Sequence, residues 1–242
     1  MPEVASHLAE AERHLWSALE ISAAQRHFFV DHQMARQVPA EEGQPTKLHL
    51  GSAGYLIPGW INVDGGGADL MANLNWGLPF PDASVRYIYS SHTLEHLRYG
   101  DQAPVFLRDV LRMLEPDGVA RFVVPDVRKL LRAYVERDRD FFSSREEFYG
   151  LNPGFLKDGI PTLDYILLFC GAAPQMLSYN HKFGYDSESL CDLLRKAGFA
   201  RAYESAFQSS DHPELRVDGF SYNTHARDHG EDHYSLFVEA IK

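Results

Sequence analysis

The run from Lys47 to Asp64, KLHLGSAGYLIPGWINVD, leaves this chain few ways to fold. Two short apolar strands, over residues 48–50 and 61–63, flank a turn made of Gly51, Ser52, Ala53 and Gly54, and the second strand ends on Asp64. In an open α/β sheet, ligands sit outside the carboxyl ends of the strands. There a glycine turn lets backbone approach the ligand, and a strand-end acid can accept from a ribose diol. The stretch therefore reads as a nucleoside-shaped site, although Ala53 stands where a full glycine pattern would have a second glycine.

The same stretch sets a topological problem. Further strands are expected over residues 69–72, 85–89, 119–124, 202–207 and 234–241. Helical spacing appears over 102–114, after Asp126 through Val135, and over 186–197 with Asp186 as cap and Gly198 past the end. Strands alternating with helices predict a mostly parallel sheet with helices on its faces, a Rossmann-like doubly wound α/β fold. A parallel crossover with its helix needs roughly 10 to 12 residues or more. The links between the first, second and third strands are too short to hold one, so the sheet is trimmed at its first crossovers. A long amino-terminal helix, within a 1–45 extension, is expected to cover the face left bare, and residues 46–242 form the main domain. The glycine-, proline- and aromatic-rich segment at about 138–185 reads as an insertion that folds over the strand ends as a lid. Pro116, Asp117 and Gly118 predict a turn, and 208–233 a long polar loop.

Composition narrows the function. With 34 acids against 23 bases, the formal charge of -11 opposes a polyanion, so nucleic acid is not an expected partner. No apolar run reaches the roughly 18 residues of a membrane span. The opening MPEVASHLAEAERH lacks a charged start followed by an apolar core, so a cytoplasmic protein with no membrane partner is expected. Cys170 and Cys191 stand apart with no CxxC spacing and read as reduced thiols.

The order of LHLGSA, GWINVD, NLNWGLPFPDASV, YIYSSHTLEHL, LRMLEPDGVARFVVPD and LCDLLRKAGF resembles the class I S-adenosylmethionine-dependent methyltransferases. It is most similar to a branch of predicted small-molecule methyltransferases marked by the short GWxNxD link. The resemblance covers about residues 47–200 and the last strand, SLFVEAIK. It implies S-adenosyl-L-methionine as cofactor, with the turn of Gly51, Ser52, Ala53 and Gly54 against its methionine part. Asp64 would take the ribose hydroxyls, Asn73 with Leu74 the adenine, and Ser91 with His92 the transfer end. Arg86, where the family usually has an acid, is taken as a surface change.

On that resemblance the expected reaction is methyl transfer to a small acceptor, with O-methylation of a sugar or secondary metabolite as the first reading. His92 and His181 are the candidate catalytic residues, because a neutral imidazole suits proton removal near neutral pH. His96, Tyr179 and Asn180 are expected to contact the acceptor, and the amino-terminal helix offers a homodimer surface. Two other readings stay open. The departures at Ala53 and Asn73 fit a non-catalytic cofactor-binding or assembly protein. His92, Glu95 and His96 also spell the HxxEH of inverted zinc peptidases, in which two histidines one helical turn apart hold the metal. No resident metal is expected, and His225, His229 and His233 read as solvated.

Overall fold

The computed structural model describes residues 45–143, 156–167, 170–171, 181–220 and 234–242. Seven strands form one sheet: β1 (Lys47–Leu50), β2 (Ile61–Asp64), β3 (Leu70–Met71), β4 (Val85–Ser91), β5 (Leu114–Pro125), β8 (Arg201–Ser205) and β9 (Ser235–Ile241). Their order is β3-β2-β1-β4-β5-β9-β8, and the hairpin β6 (Leu156–Lys157) and β7 (Ile160–Pro161) stands apart. The five strands from β3 to β5 are parallel, while β9 runs antiparallel to both β5 and β8. The mostly parallel sheet expected from the sequence is present, and its parallel part has the 3-2-1-4-5 order of a doubly wound sheet.

Alternation along the strands gives the sheet two unlike faces. On the first, Leu48, Leu50, Val63, Ile88, Phe122, Val124 and Val238 are buried against helices α1 (Gln102–Met113) and α4 (Ser187–Ala197). Phe106, Leu107 and Val110 of α1 and Leu190 and Leu194 of α4 recur at helical spacing and supply the covering apolar stripe. The ends of α4 are built as read: Asp186 and Ser189 form a reciprocal capping box, and Gly198 closes the helix at φ 112°.

The second face carries a row of polar side chains in register, one per strand: Asn62, His49, Tyr89, Arg121, Glu239 and Tyr203. Asn62, His49, Tyr89, Arg121 and Glu239 are each at most 3% exposed. Their hydrogen-bonding groups must be met by partners, and loops with free backbone groups can meet them. Asn62 Oδ1 accepts from Ile57 N (2.8 Å) and lies 3.1 Å from His49 Nδ1, while Asn62 Nδ2 donates to the carbonyls of Ile57 and Trp60 and to Asp69 Oδ2. One side chain thus folds the 51–60 link back on the sheet, where Ile57 and Trp60 pack on Tyr87 and Tyr89. This holds β1 and β2 parallel without a helix between them.

At the other end of the row, the Arg121 guanidinium is wholly buried and makes a two-bonded pair with Asp218 (2.9 and 2.8 Å). It also donates to Glu239 Oε1 (2.7 Å), Ser205 Oγ and the Ala206 carbonyl. Burial pushes the Asp218 carboxyl up, and the Arg121 charge pulls it back. The pair draws in the segment after β8, so that Leu215 and Val217 complete the second face. The described part of the polar loop expected over 208–233, residues 208–220, is a loop that covers this face and contains two single turns of 3₁₀ helix. The predicted turn at Pro116–Gly118 falls inside β5, where the pairing with β4 jumps from Leu114 to Val119 and Asp117 takes φ 60°. The amino-terminal helix lies outside the described residues.

Helix α2 (Val127–Glu136) starts at Asp126, whose side chain accepts from the amides of Arg128 and Lys129. It packs in a cluster apart from the sheet, Leu130 and Ala133 with Phe142, Ile160 and, from the short helix α3 (Leu163–Leu167), Ile166. Val127 N donates to the Tyr185 carbonyl at 3.0 Å, so the chain leaves and re-enters the sheet domain at one point.

Three measurements check this account. Asn62→Leu should lower unfolding free energy in urea by about 3 kcal/mol or more, because several buried backbone and side-chain groups lose their partner together. Arg121→Met should cost about 3–5 kcal/mol by leaving two buried carboxylates without a cation. Burial holds the His49 pKa down to about 4, so between pH 6.5 and 4 the unfolded chain binds a proton that the folded chain refuses. Stability should therefore fall as pH drops through that window, by up to about 3 kcal/mol, and His49→Asn should flatten this limb of the urea titration.

Candidate cofactor and acceptor site

At the carboxyl ends of β1, β2 and β4 lies a cavity of about 630 Å³, within the range of small-molecule sites, roughly 300–1,000 Å³. The first wall is the turn after β1. Gly51 takes φ 79°, and a Cβ there would collide with the Thr93 side chain, so glycine is required by the packing of the β4 exit as well as by the backbone. The amides of Gly51 and Ser52 both donate to the Val63 carbonyl, which ties this turn to β2. Ala53 adopts φ 47°, a left-handed conformation that glycine fills more easily, and its amide donates to Asp64 Oδ2 at 2.9 Å. Gly54, at φ 81°, has open space where a side chain would begin.

Asp64 closes β2 with its carboxylate on the cavity wall. Oδ2 takes the Ala53 amide and Oδ1 the Gly65 amide at 2.6 Å. A carboxylate has about four acceptor sites, so two remain for hydroxyl donors from the cavity. This acceptor-only group beside a glycine turn fits the ribose of an adenosyl cofactor. Leu74 and Asn75 form the neighbouring wall. Asn73 is exposed, and its Oδ1 accepts from the Asn75 amide at 3.0 Å, which shapes the turn that presents those two residues.

Past the end of β4 the chain turns sharply at His92, φ 50°, into a single 3₁₀ turn, Leu94–His96. The HxxEH letters thus do not lie on an α-helix, and His92 and His96 are not paired one helical turn apart. His92 lines the cavity but is held on both nitrogens. Nε2 is 2.9 Å from Ser235 Oγ, Nδ1 is 3.2 Å from Glu95 Oε1, and the ring stacks on Tyr234 at 5.6 Å. Ser91, the last residue of β4, is buried and lends its carbonyl to Thr93 Oγ1. Ser52 is buried behind the turn, and its Oγ meets no hydrogen-bond partner among the described residues.

Glu95 is the hub of the cavity's side beyond β4. Its carbonyl accepts from the amides of Lys182 (2.7 Å) and Phe183 (3.2 Å), which brings His181 against His96 with ring centroids 4.9 Å apart. Its side chain is 1% exposed. Burial alone would raise that carboxyl, but His92 foremost, then His96 and His181, outweigh it and hold the pKa below the usual carboxylate range.

Of the residues named from sequence, Gly51, Ala53, Asp64, Leu74, His92 and His96 line one cavity, and His181 stands behind His96. Tyr179, Asn180 and the three late histidines, His225, His229 and His233, lie outside the described residues. Sequence reasoning missed Thr93, Asn75, Arg98, Gln102 and Lys182 in the wall. It also read Glu95 only as part of a peptidase pattern. Arg98 is half-exposed and bonded through two nitrogens to Asp101, the nearest being 2.6 Å. No sequence signal marks that pair as part of a site.

A family model described as a methyltransferase domain matches residues 68–122, less than a quarter of the chain. No curated protein matches in sequence. Among solved structures, the chain is similar to an S-adenosylmethionine-dependent methyltransferase of Thermotoga maritima, described as a possible histamine N-methyltransferase. The identity is 14% and the TM-score 0.45, over 95% of this chain and 97% of that one. It is also similar to such a methyltransferase of Archaeoglobus fulgidus, at 13% identity and TM-score 0.45 over 92% and 93%. A third is the phosphoethanolamine N-methyltransferase 2 of Haemonchus contortus in complex with S-adenosyl-L-methionine, at 12% and 0.43 over 90% and 52%. The segment similar to a methyltransferase domain thus runs from the link before β3 through β4 into β5.

Proposed function

We propose that the protein methylates an oxygen of a small-molecule acceptor, a sugar or secondary-metabolite hydroxyl, with the cofactor held between the β1 turn and Asp64. The observation that carries this reading is the Asp64 carboxylate, set on the cavity wall with acceptor sites to spare beside a glycine turn. When bound, S-adenosyl-L-methionine supplies a methyl group already activated on a sulfonium, and S-adenosylhomocysteine is the product.

The chain's own work is then alignment, water exclusion and handling of one proton. The β1 turn, with Gly51, Ser52, Ala53 and Gly54, borders the methionine end. Asp64 accepts from the ribose, and the wall around Asn73, Leu74 and Asn75 meets the adenine. Ser91 and His92 flank the transfer end. His92, gripped by Ser235, Glu95 and Tyr234, orients the surroundings, and the His96–His181 side faces the acceptor's hydroxyl. The insertion at about 138–185 acts as a lid in this reading, supported by the separate apolar cluster that Phe142, Ile160 and Ile166 form with α2. A cytoplasmic setting agrees with the two free thiols, one of them buried. Among the described residues no helix is long and apolar enough to cross a membrane.

Calorimetric titration with S-adenosylhomocysteine tests the cofactor half. Wild type should bind in the micromolar range, and Asp64→Ala, shown folded by circular dichroism, should bind at least tenfold more weakly, a loss of about 1.4 kcal/mol. Folded wild type that binds no S-adenosylhomocysteine would sink the reading. Turnover of a hydroxylated acceptor panel then tests the acceptor half.

A further inference from the structure

The geometry points to a divalent-cation site made by the Glu95 carboxylate and the imidazoles of His96 and His181, on the acceptor side of the cavity. Each residue offers one ligand atom, and these atoms lie within 4.8 Å of one another. A first-row cation bonds such donors at about 2.0–2.2 Å, so two donors on one ion stand at most about 4.4 Å apart. Three donors cannot all stand opposite one another, and at tetrahedral angles they lie about 3.4 Å apart, so closing on an ion takes rotation of the imidazoles by up to about 1.4 Å at the donor atoms.

A second observation is independent of the spacing. Glu95 is 1% exposed, yet neither of its carboxylate oxygens has a hydrogen bond among the described residues, and the same holds for His96 Nδ1. A buried carboxylate with acceptor sites left open beside its His92 ion pair is costly, and a cation shared with two imidazoles fills those sites. The His92 ring flanks this carboxylate, with Nδ1 3.2 Å from Oε1. With its Nε2 on Ser235, His92 becomes the support behind a ligand rather than a ligand. The roles thus differ from those of an inverted zinc peptidase, in which both histidines of the motif bind metal and the glutamate is a base.

Two imidazoles and one carboxylate suit a first-row transition ion better than magnesium or calcium, which prefer all-oxygen shells. Three protein donors leave coordination positions open, and His96 lines the cavity, so an open position faces the acceptor. Resting on the methyl-transfer reading above, this makes the favoured acceptor one with a metal-binding oxygen, such as a hydroxyl next to a second oxygen. It departs from the expectation of no resident metal and relieves His181 of the role of free base.

The test uses the full chain, stripped with chelator and titrated calorimetrically with Zn²⁺ and, separately, Mn²⁺. One equivalent of at least one ion should bind, and bound ion should raise the melting temperature. His181→Ala and His96→Ala should each weaken binding at least tenfold, while His212→Ala, across the sheet on Tyr87, should not. Folded wild type that binds neither ion, or binding undiminished in both site variants, overturns the inference. His181→Ala alone suffices if His96→Ala does not fold, because His181 is only half-buried. Titration with S-adenosylhomocysteine separates the two readings. Cofactor product bound without any metal binding removes the cation site only. Metal bound at these residues by a chain that takes no S-adenosylhomocysteine removes methyl transfer and leaves the site standing.

Discussion

The row of buried polar side chains across the second face of the sheet governs what else the chain can do. An apolar face is covered by any helix with an apolar stripe, and α1 and α4 cover the first face in that way. A face that presents an amide, an imidazole, a guanidinium and a carboxylate in register needs partners that bring hydrogen bonds and charge. Loops with unpaired backbone groups bring them, as does the acid Asp218. The 51–60 link and the segment after β8 are therefore not merely short or irregular connections; they are the counterparts the row requires.

That arrangement reaches the site through β1 and β2. Asn62 clamps the link to the second face, and two residues on, with the pleat reversed once more, Asp64 arrives at the strand end. There it takes the amides of Ala53 and Gly65. Gly51, at the start of the same link, leaves the space that Thr93 fills, so the β1 turn and the β4 exit are shaped by each other. A helical crossover would place neither the carboxylate nor the turn under this mutual constraint. The GWxNxD link is thus one device: Gly59 turns the chain at φ 75°, Trp60 packs, Asn62 clamps and Asp64 faces the cavity.

The side of the cavity beyond β4 is organised differently, around one residue with two contacts. Glu95 uses its backbone carbonyl to hold the returning chain at Lys182 and Phe183, and its side chain collects His92, His96 and His181. Residues some 90 positions apart meet because Glu95 is buried where the chain from His181 to Tyr185 rejoins the sheet, close to the joint of Val127 with Tyr185.

The parallel sheet, the trimmed crossovers, the cap and stop of α4 and the candidate role of Asp64 were all legible in the sequence. Each depends on local chemistry: β-branched runs, helical spacing, Asp before and Gly after a helix, and an acid at a strand end. Arg121 within an apolar strand, Asp218 within a polar stretch and Glu95 within a motif borrowed from peptidases carry no local sign of their partners. Their meaning comes from pairing over 97 positions for Arg121 with Asp218 and from the contact of Glu95 with His181. Sequence by itself determined which segments become strands and helices and which acid ends β2, because those choices are made by near neighbours. Only the tertiary structure decided what covers the second face and which histidines share one carboxylate. Burial and charge pairing act between residues that the chain separates and the sheet brings together.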